Sequence, residues 1–280
     1  MVAGAAALAL ALSAGFAGGD EAKPFSAYAS CGIKGKHGDR FCFAGDHPMA
    51  VYRAFGRARV NYTVCSRKRG ERRHCVHRQT NNPGQRSRTR LGLEGPGRYE
   101  LAWFEDGEAV DRDKLVVRER AAFIVGDSLS EGTKPYLPRA LPDWRVEQSV
   151  STSRHVPEGV AILRRRGGLP GAVIFALGTN DDPHGVSVFR DSLEQVLAIA
   201  GATRCVVVPN IVRPAVGGAS YAGYNHAIAD LDRRERNFRM VDWVKLVSRH
   251  REWLADDGAH VTAEGYQARA RAIAKQVERC

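Results

Sequence analysis

Ala122-Phe123-Ile124-Val125-Gly126-Asp127-Ser128-Leu129-Ser130 is an apolar run of strand length, halted by a glycine, with a polar triplet leading into a helical pattern. Four further runs repeat this grammar: Trp144-Arg145-Val146-Glu147, Ala172 to Leu177, Cys205-Val206-Val207-Val208 and Phe238-Arg239-Met240-Val241. The first, third and fourth are apolar throughout, as strands covered on both faces must be. Helical stretches separate them, among them Val188 to Ala200 and Ala263 to Glu278. Parallel strands need crossover connections, so residues 119–280 are expected to form an α/β domain whose parallel sheet is wrapped by helices. In such sheets reactive groups gather past the carboxyl ends of the strands.

Upstream the pattern is different. From 31 to 118, short alternating segments are separated by turn signals, which is the pattern of a small immunoglobulin-like all-β sandwich. Arg59 to Cys65 alternates, and Cys75 to Thr80 is placed to return antiparallel to it around a charged loop, Ser66 to His74. Gly97 to Phe104 and Asp113 to Val117 flank the turn signal Asp106-Gly107. Tyr99 and Trp103 share a face by period-two alternation and are expected in the core.

Net charge is +11 over 280 residues, and it is concentrated. Arg67 to Arg90 holds nine Lys/Arg against one acidic residue, Glu71. Two readings stand together: a solvated surface, or contact with an anionic cell-surface polymer. No helix-turn-helix, zinc-finger or RNP pattern accompanies the charge, so a nucleic-acid partner is not expected.

Residues 1–17 form an Ala/Leu run ending in small residues, which reads as a secretory signal, with 18–30 as a linker. The run is short for a membrane span, so the processed chain is not expected to be an integral membrane protein. Export to the envelope or beyond fits the six cysteines. They fall as local pairs, Cys31 with Cys42 and Cys65 with Cys75, leaving Cys205 and Cys280, although six cysteines allow 15 pairings. No Cys-x-x-Cys occurs, and no metal or cofactor is expected.

Three polar groups follow the strands. Ser128 comes just past the first, where its hydroxyl meets the sheet rim and its N–H begins a helix. Gly178-Thr179-Asn180-Asp181 ends the third, and the Asn180 amide there could face a developing oxyanion. Asp257-Gly258-Ala259-His260 precedes the last helix. An aspartate three residues before a histidine can fold back onto Nδ1 and leave Nε2 to take a serine proton. Asp256 is a competing neighbour, and spacing favours Asp257. Each group alone is an ordinary turn or cap; their order on successive strand ends makes coincidence a poor explanation.

In Gly126-Asp127-Ser128, Gly178-Thr179-Asn180-Asp181 and Asp257-x-x-His260 the chain resembles the SGNH (GDSL) hydrolases over about Ala121 to Cys280. Through Asn225 and Val241-Asp242-Trp243 it is also similar to the SGNH domains of polysaccharide and peptidoglycan O-acetyltransferases. The resemblance implies a flavodoxin-like three-layer α/β/α sandwich and a serine esterase acting on short-chain acyl esters, with O-acetyl groups on a glycan as a candidate substrate. Ser128 would be the nucleophile, His260 the base and Asp257 its orienting acid. Ser128, Ser153 and Asn180 would form the oxyanion hole, supported by Gly126, Asp127, Gly178 and Asp181. Ser153 departs from the family pattern, which has glycine there, and a Cβ restricts the backbone.

An O-acyltransferase would use the same residues. Two readings from other classes compete: a metal-dependent phosphoesterase built on Asp127, Asn180, Asp181, His184 and His260, and a catalytically weak glycan-binding protein. Chelator sensitivity would mark the former, and glycan retention without acylation of Ser128 the latter.

Overall fold

The computed structural model describes residues 25–31, 41–55, 59–80, 84–93 and 95–280. The expected signal segment and the start of the expected linker lie outside them. The rest of that linker is not a linker: Phe25–Cys31 is strand β1, pairing antiparallel with β3 (Pro48–Ala54) from Phe25↔Ala54 to Cys31↔Pro48. Ala29 is completely buried there, which no solvated tether would achieve.

The strand-rich region also contains β2 (Phe41–Phe43), β4 (Asn61–Lys68), β5 (His74–Gln79), β6 (Ser87–Arg90), β7 (Gly97–Glu105) and β8 (Glu108–Arg118). They form two sheets, ordered β1-β3-β6 and β2-β8-β7-β4-β5. Ala50 and Tyr52 of one sheet pack against Val64, Leu101, Trp103 and Leu115 of the other. Tyr99, Leu101 and Trp103 all point inward, as alternation requires. Asp106 (φ 51°) and Gly107 (φ 88°) make the two-residue turn between β7 and β8.

The charged loop is shorter than expected, because β4 runs on to Lys68. Cys65 and Cys75 face each other across paired strands, with their Cα atoms 4.0 Å apart, and the disulfide staples the ladder itself. Cys31–Cys42 and Cys205–Cys280 are the other two disulfides.

After β8 the chain enters the second layer system: β9 (Ala121–Gly126), α1 (Ser128–Thr133), α2 (Leu137–Ala140), β10 (Arg145–Val150), α3 (Val156–Arg165), β11 (Ala172–Ala176), α4 (Val186–Ala200), β12 (Cys205–Pro209), α5 (Ala222–Arg234), β13 (Phe238–Val241), α6 (Trp243–Arg249) and α7 (Ala263–Val277). All neighbours pair in parallel, in the order β10-β9-β11-β12-β13. This is the flavodoxin-like order, with strands one and two exchanged.

Period two divides the core. Phe123, Val125, Val173, Phe175, Val206 and Val208 face α3, α4 and α5. Ala122, Ile124, Ile174, Ala176 and Val207 face α2 and α7. The regions share one seam. Phe43 of β2 sits edge-on to Trp144, with ring centroids 4.6 Å apart, inside the second of these clusters. A Cβ at Gly171 would meet the Phe43 ring at 2.4 Å, so glycine there lets the sandwich dock.

Candidate active site

The site grows from the end of β9. At Gly126 any Cβ would sit 2.0 Å from the Ser130 hydroxyl, so only glycine lets α1 begin this close to the strand. Asp127 is the N-cap of α1. Its Oδ1 accepts the Leu129 N–H at 3.0 Å, which sets Ser128 as the first helical residue. Burial pushes the Asp127 carboxyl upward, while the Arg269 guanidinium pulls it back toward the charged form.

The Ser128 hydroxyl donates to Nε2 of His260 over 2.8 Å, across 132 residues of chain. Behind the imidazole, Nδ1 donates to Asp257 Oδ2 at 2.5 Å. The other oxygen, Oδ1, accepts the backbone N–H groups of Ala259 (3.0 Å) and His260 (2.9 Å). The His260 bond first, and the Ala259 N–H next, hold the Asp257 carboxyl down at about 2. Asp256 makes none of these bonds.

The turn has its own brace. Ala255 N–H donates to His260 O at 2.9 Å, Leu254 bridges Val261, and Gly258 takes a φ of 67° that its neighbours would resist. Thr262 then caps α7.

Past β11, Gly178 has a φ of 119°, and a Cβ there would strike Ile211 at 2.7 Å. Asn180 Nδ2 donates to the Arg154 carbonyl at 3.3 Å, and Asn180 Oδ1 accepts from Arg213 Nη1 at 3.4 Å. Both ends of the amide are therefore tied, with nitrogen turned toward the Arg154 backbone beside Ser153. The Arg154 side chain donates to Ser149 O (2.5 Å) and Gly126 O (3.2 Å), joining the ends of β10 and β9. Ser153 is in the left-handed region at φ 57°, the conformation that a glycine would adopt most freely.

Asp181 does not face this space. Its carboxylate accepts the Val156 N–H at 3.2 Å and lies 3.4 Å from His155 Nδ1, so it caps the start of α3. Asn225 is likewise structural: its amide clasps both backbone groups of Ile211, at 2.7 and 2.9 Å. Asp242 caps α6 and receives the Asn210 amide at 3.2 Å. The phosphoesterase alternative fares poorly by geometry. Asp127 and Asp181 are each spent on a helix start, and His184 pairs with exposed Asp182 at 2.8 Å.

Sequence reasoning missed Arg154, Arg213 and Tyr221. The last donates to both Thr179 O and Asp181 O at 3.0 Å, clamping the β11 turn from outside.

No curated protein matches the chain. Among solved structures it is similar to the C-terminal catalytic domain of peptidoglycan O-acetyltransferase A (OatA) from Streptococcus pneumoniae, at 18% identity, covering 58% of this chain and 92% of that one with a TM-score of 0.47. It is similar to a member of the lipolytic protein G-D-S-L family from Veillonella parvula, at 13% identity, 56% and 96% coverage and a TM-score of 0.47. A family two carbohydrate esterase from Cellvibrio japonicus is similar over 91% of this chain and 90% of its own, at 11% identity and a TM-score of 0.41. The family model of GDSL-like lipases and acylhydrolases matches residues 124–268. That stretch exceeds half of the sequence, and the chain belongs to the GDSL-like lipase/acylhydrolase family.

Proposed function

We propose that the protein is an exported serine esterase that removes short acyl groups from an alcohol, an O-acetylated glycan being the favoured substrate. The observation that carries this reading is the 2.8 Å bond from the Ser128 hydroxyl to a histidine whose far nitrogen is held by Asp257. In this mechanism Ser128 Oγ attacks the ester carbonyl while His260 Nε2 takes the hydroxyl proton. Asp257 keeps the proton of the neutral imidazole on Nδ1 and stabilises the imidazolium once it forms.

The oxyanion then faces the Ser128 N–H at the start of α1, the Ser153 N–H and the Asn180 amide. His260 returns its proton to the leaving alcohol, giving an acyl-enzyme. Water, deprotonated by the same imidazole, attacks that acyl group and frees the acid and the serine. Hydrolysis is favoured over transfer because the Asp257 and His260 side chains are 51% and 44% exposed, so water reaches the base directly.

Export is supported by three disulfides, which persist in oxidising compartments. Among the described residues no helix is long and apolar enough to cross a membrane. The test is labelling with a fluorophosphonate, followed by peptide mass spectrometry. The adduct is expected on Ser128 alone, and a protein that stays unlabelled while turning over an aryl acetate would refute the assignment.

A further inference from the structure

A groove of about 700 Å³ crosses the outer face of the β2-β8-β7-β4-β5 sheet, and Ser128 is not among its lining. The inward set Tyr99, Leu101 and Trp103 leaves Arg98, Glu100 and Phe104 of β7 pointing out, beside Arg67 of β4 and Arg112 of β8. A second depression of about 520 Å³ shares Arg98 and Val116 with the first. It continues past Arg118, Arg145 and Arg204 to the amino ends of the parallel strands, at Ala121 and Gly171. Together the two are lined by nine cationic and four acidic side chains. One of the four, Asp113, turns inward to the Ala29 N–H at 3.1 Å.

The other three carboxylates neutralise only part of this charge: Glu100 pairs with Arg67 at 2.6 Å, Glu119 and Glu147 with Arg145, and Glu147 with Arg166 at 2.5 Å. Among the described residues no carboxylate pairs with Arg98, Arg118 or Arg204, which meet where the two depressions join. Arg118 reaches only the Thr203 hydroxyl, at 2.8 Å, and its Nε is buried without a partner. Arg204 is spent on two carbonyls, those of Leu169 and Ala200, at 2.9 Å each. Burial first, and then the fields of Arg204 and Arg98, lower the proton affinity of Arg118. Like charges crowded on a surface without counter-charge raise the local potential and draw anions.

We infer that this continuous groove binds an acidic polysaccharide, whose carboxylates sit against Arg98, Arg112 and Arg118 while its hydroxyls donate to Glu100, Glu119 and Glu147. The mixed lining favours such a ligand over nucleic acid. The arginine-paired carboxylates keep lone pairs that still accept hydrogen bonds; a phosphodiester backbone has few donors to offer them, whereas every sugar ring carries several hydroxyl donors. The compartment implied by three disulfides is also the one in which envelope polysaccharides lie.

Strand β9 separates the groove from Ser128. Its six residues span roughly 20 Å at ~3.3 Å each. The groove therefore holds the polymer at a distance from the reacting ester. If the esterase reading holds, retention raises the local concentration of ester groups on the same polymer. Binding itself does not depend on that reading.

The test uses the full chain carrying Ser128→Ala, so that no turnover disturbs the measurement. Titration calorimetry with polygalacturonate is expected to show binding that weakens as salt rises, with neutral pullulan giving none. Arg98 and Arg112 are exposed, so the double variant Arg98→Glu/Arg112→Glu should keep its melting temperature while losing at least tenfold in affinity. With Ser128 restored, that double variant should hydrolyse a small aryl acetate at the unaltered rate. Absence of polygalacturonate binding, affinity indifferent to the charge reversals, or tighter binding of a (dT)20 oligonucleotide would each overturn the proposal. Polygalacturonate binding with an inert Ser128 would leave the groove standing and remove the esterase reading instead.

Discussion

Asp127 and Arg269 are opposite charges sharing one dry interior, 1% and 3% exposed, where α7 passes behind the start of α1. Burial opposes ionisation of each, and each partly offsets that penalty for the other. Among the described residues no ion pair within 4 Å joins them, so each offsets the other's burial through its field alone. Arg269→Met is expected to destabilise at neutral pH by less than the ~3–5 kcal/mol of a broken buried ion pair. Because burial raises the Asp127 carboxyl, the deficit should shrink on mild acidification as that carboxyl takes up a proton. Adding Asp127→Asn to Arg269→Met should recover part of the loss. Denaturant melts at pH 5 and pH 8 measure both effects, and a deficit independent of pH would contradict the electrostatic coupling.

Asn180→Ala should lower kcat roughly 10²- to 10³-fold with little change in KM, if its amide meets charge only in the transition state. Arg213 donates to that amide oxygen at 3.4 Å and also to the Thr179 carbonyl, and we propose that it acts through the amide, as a positioning residue. Arg213→Met should cost roughly 10- to 100-fold in kcat, the worth of one charged hydrogen bond. In an Asn180→Ala background the same change should cost almost nothing. Fully additive losses would mean that Arg213 contributes by another route.

The pH profile should contain one acid limb. A protonated imidazole cannot accept the serine proton, so the rate should climb over the range in which histidines titrate, about pH 5 to 8. Asp257 adds no second limb, because its carboxyl is held at about 2. A folded-state value depressed below the unfolded ~3.9 stabilises the turn above pH 4 and is lost as pH falls through 2. Asp257→Asn should reduce kcat roughly 10³- to 10⁴-fold by freeing the imidazole tautomer. A profile flat from pH 5 to 8 would speak against a histidine base.

Ser153 has a left-handed backbone at φ 57°, which costs a residue with a Cβ about 1–2 kcal/mol. Ser153→Gly should relieve this, less the ~0.5–1 kcal/mol of chain entropy that glycine brings. A net gain of up to about 1 kcal/mol is expected, with esterase activity kept because the N–H remains. Ser153→Ala serves as control, since it retains the strain and should not stabilise. Thermal melts distinguish the two.

The parallel sheet was legible because its central strands are covered on both sides, so Ala122 to Val125 and Cys205 to Val208 carry no polar alternation to confuse. The places of Ser128, Asp257 and His260 were legible because the first follows a strand, and the other two precede a helix, that the hydrophobic pattern already announces. β1 was not. Phe25-Ser-Ala-Tyr-Ala-Ser-Cys is mostly small residues, and its strand character comes from a partner, β3, that lies beyond residues 32–40. The parallel pairing of β2 with β8 is a contact across some seventy residues and leaves no local trace. Arg154 and Arg213 were hidden for the same reason. A guanidinium's role depends on which carbonyl its long side chain reaches, and neither lies within a recognisable spacing of Asn180.

The hairpin bearing His260, closed by Leu254 and Val261, presents the imidazole already cocked toward the serine and open to the medium. If the esterase reading holds, this exposure lets the base meet an ester without enclosing the molecule that carries it. A catalyst shaped this way can graze along a bulky, insoluble surface, limited by which esters that surface offers rather than by what fits inside a mouth.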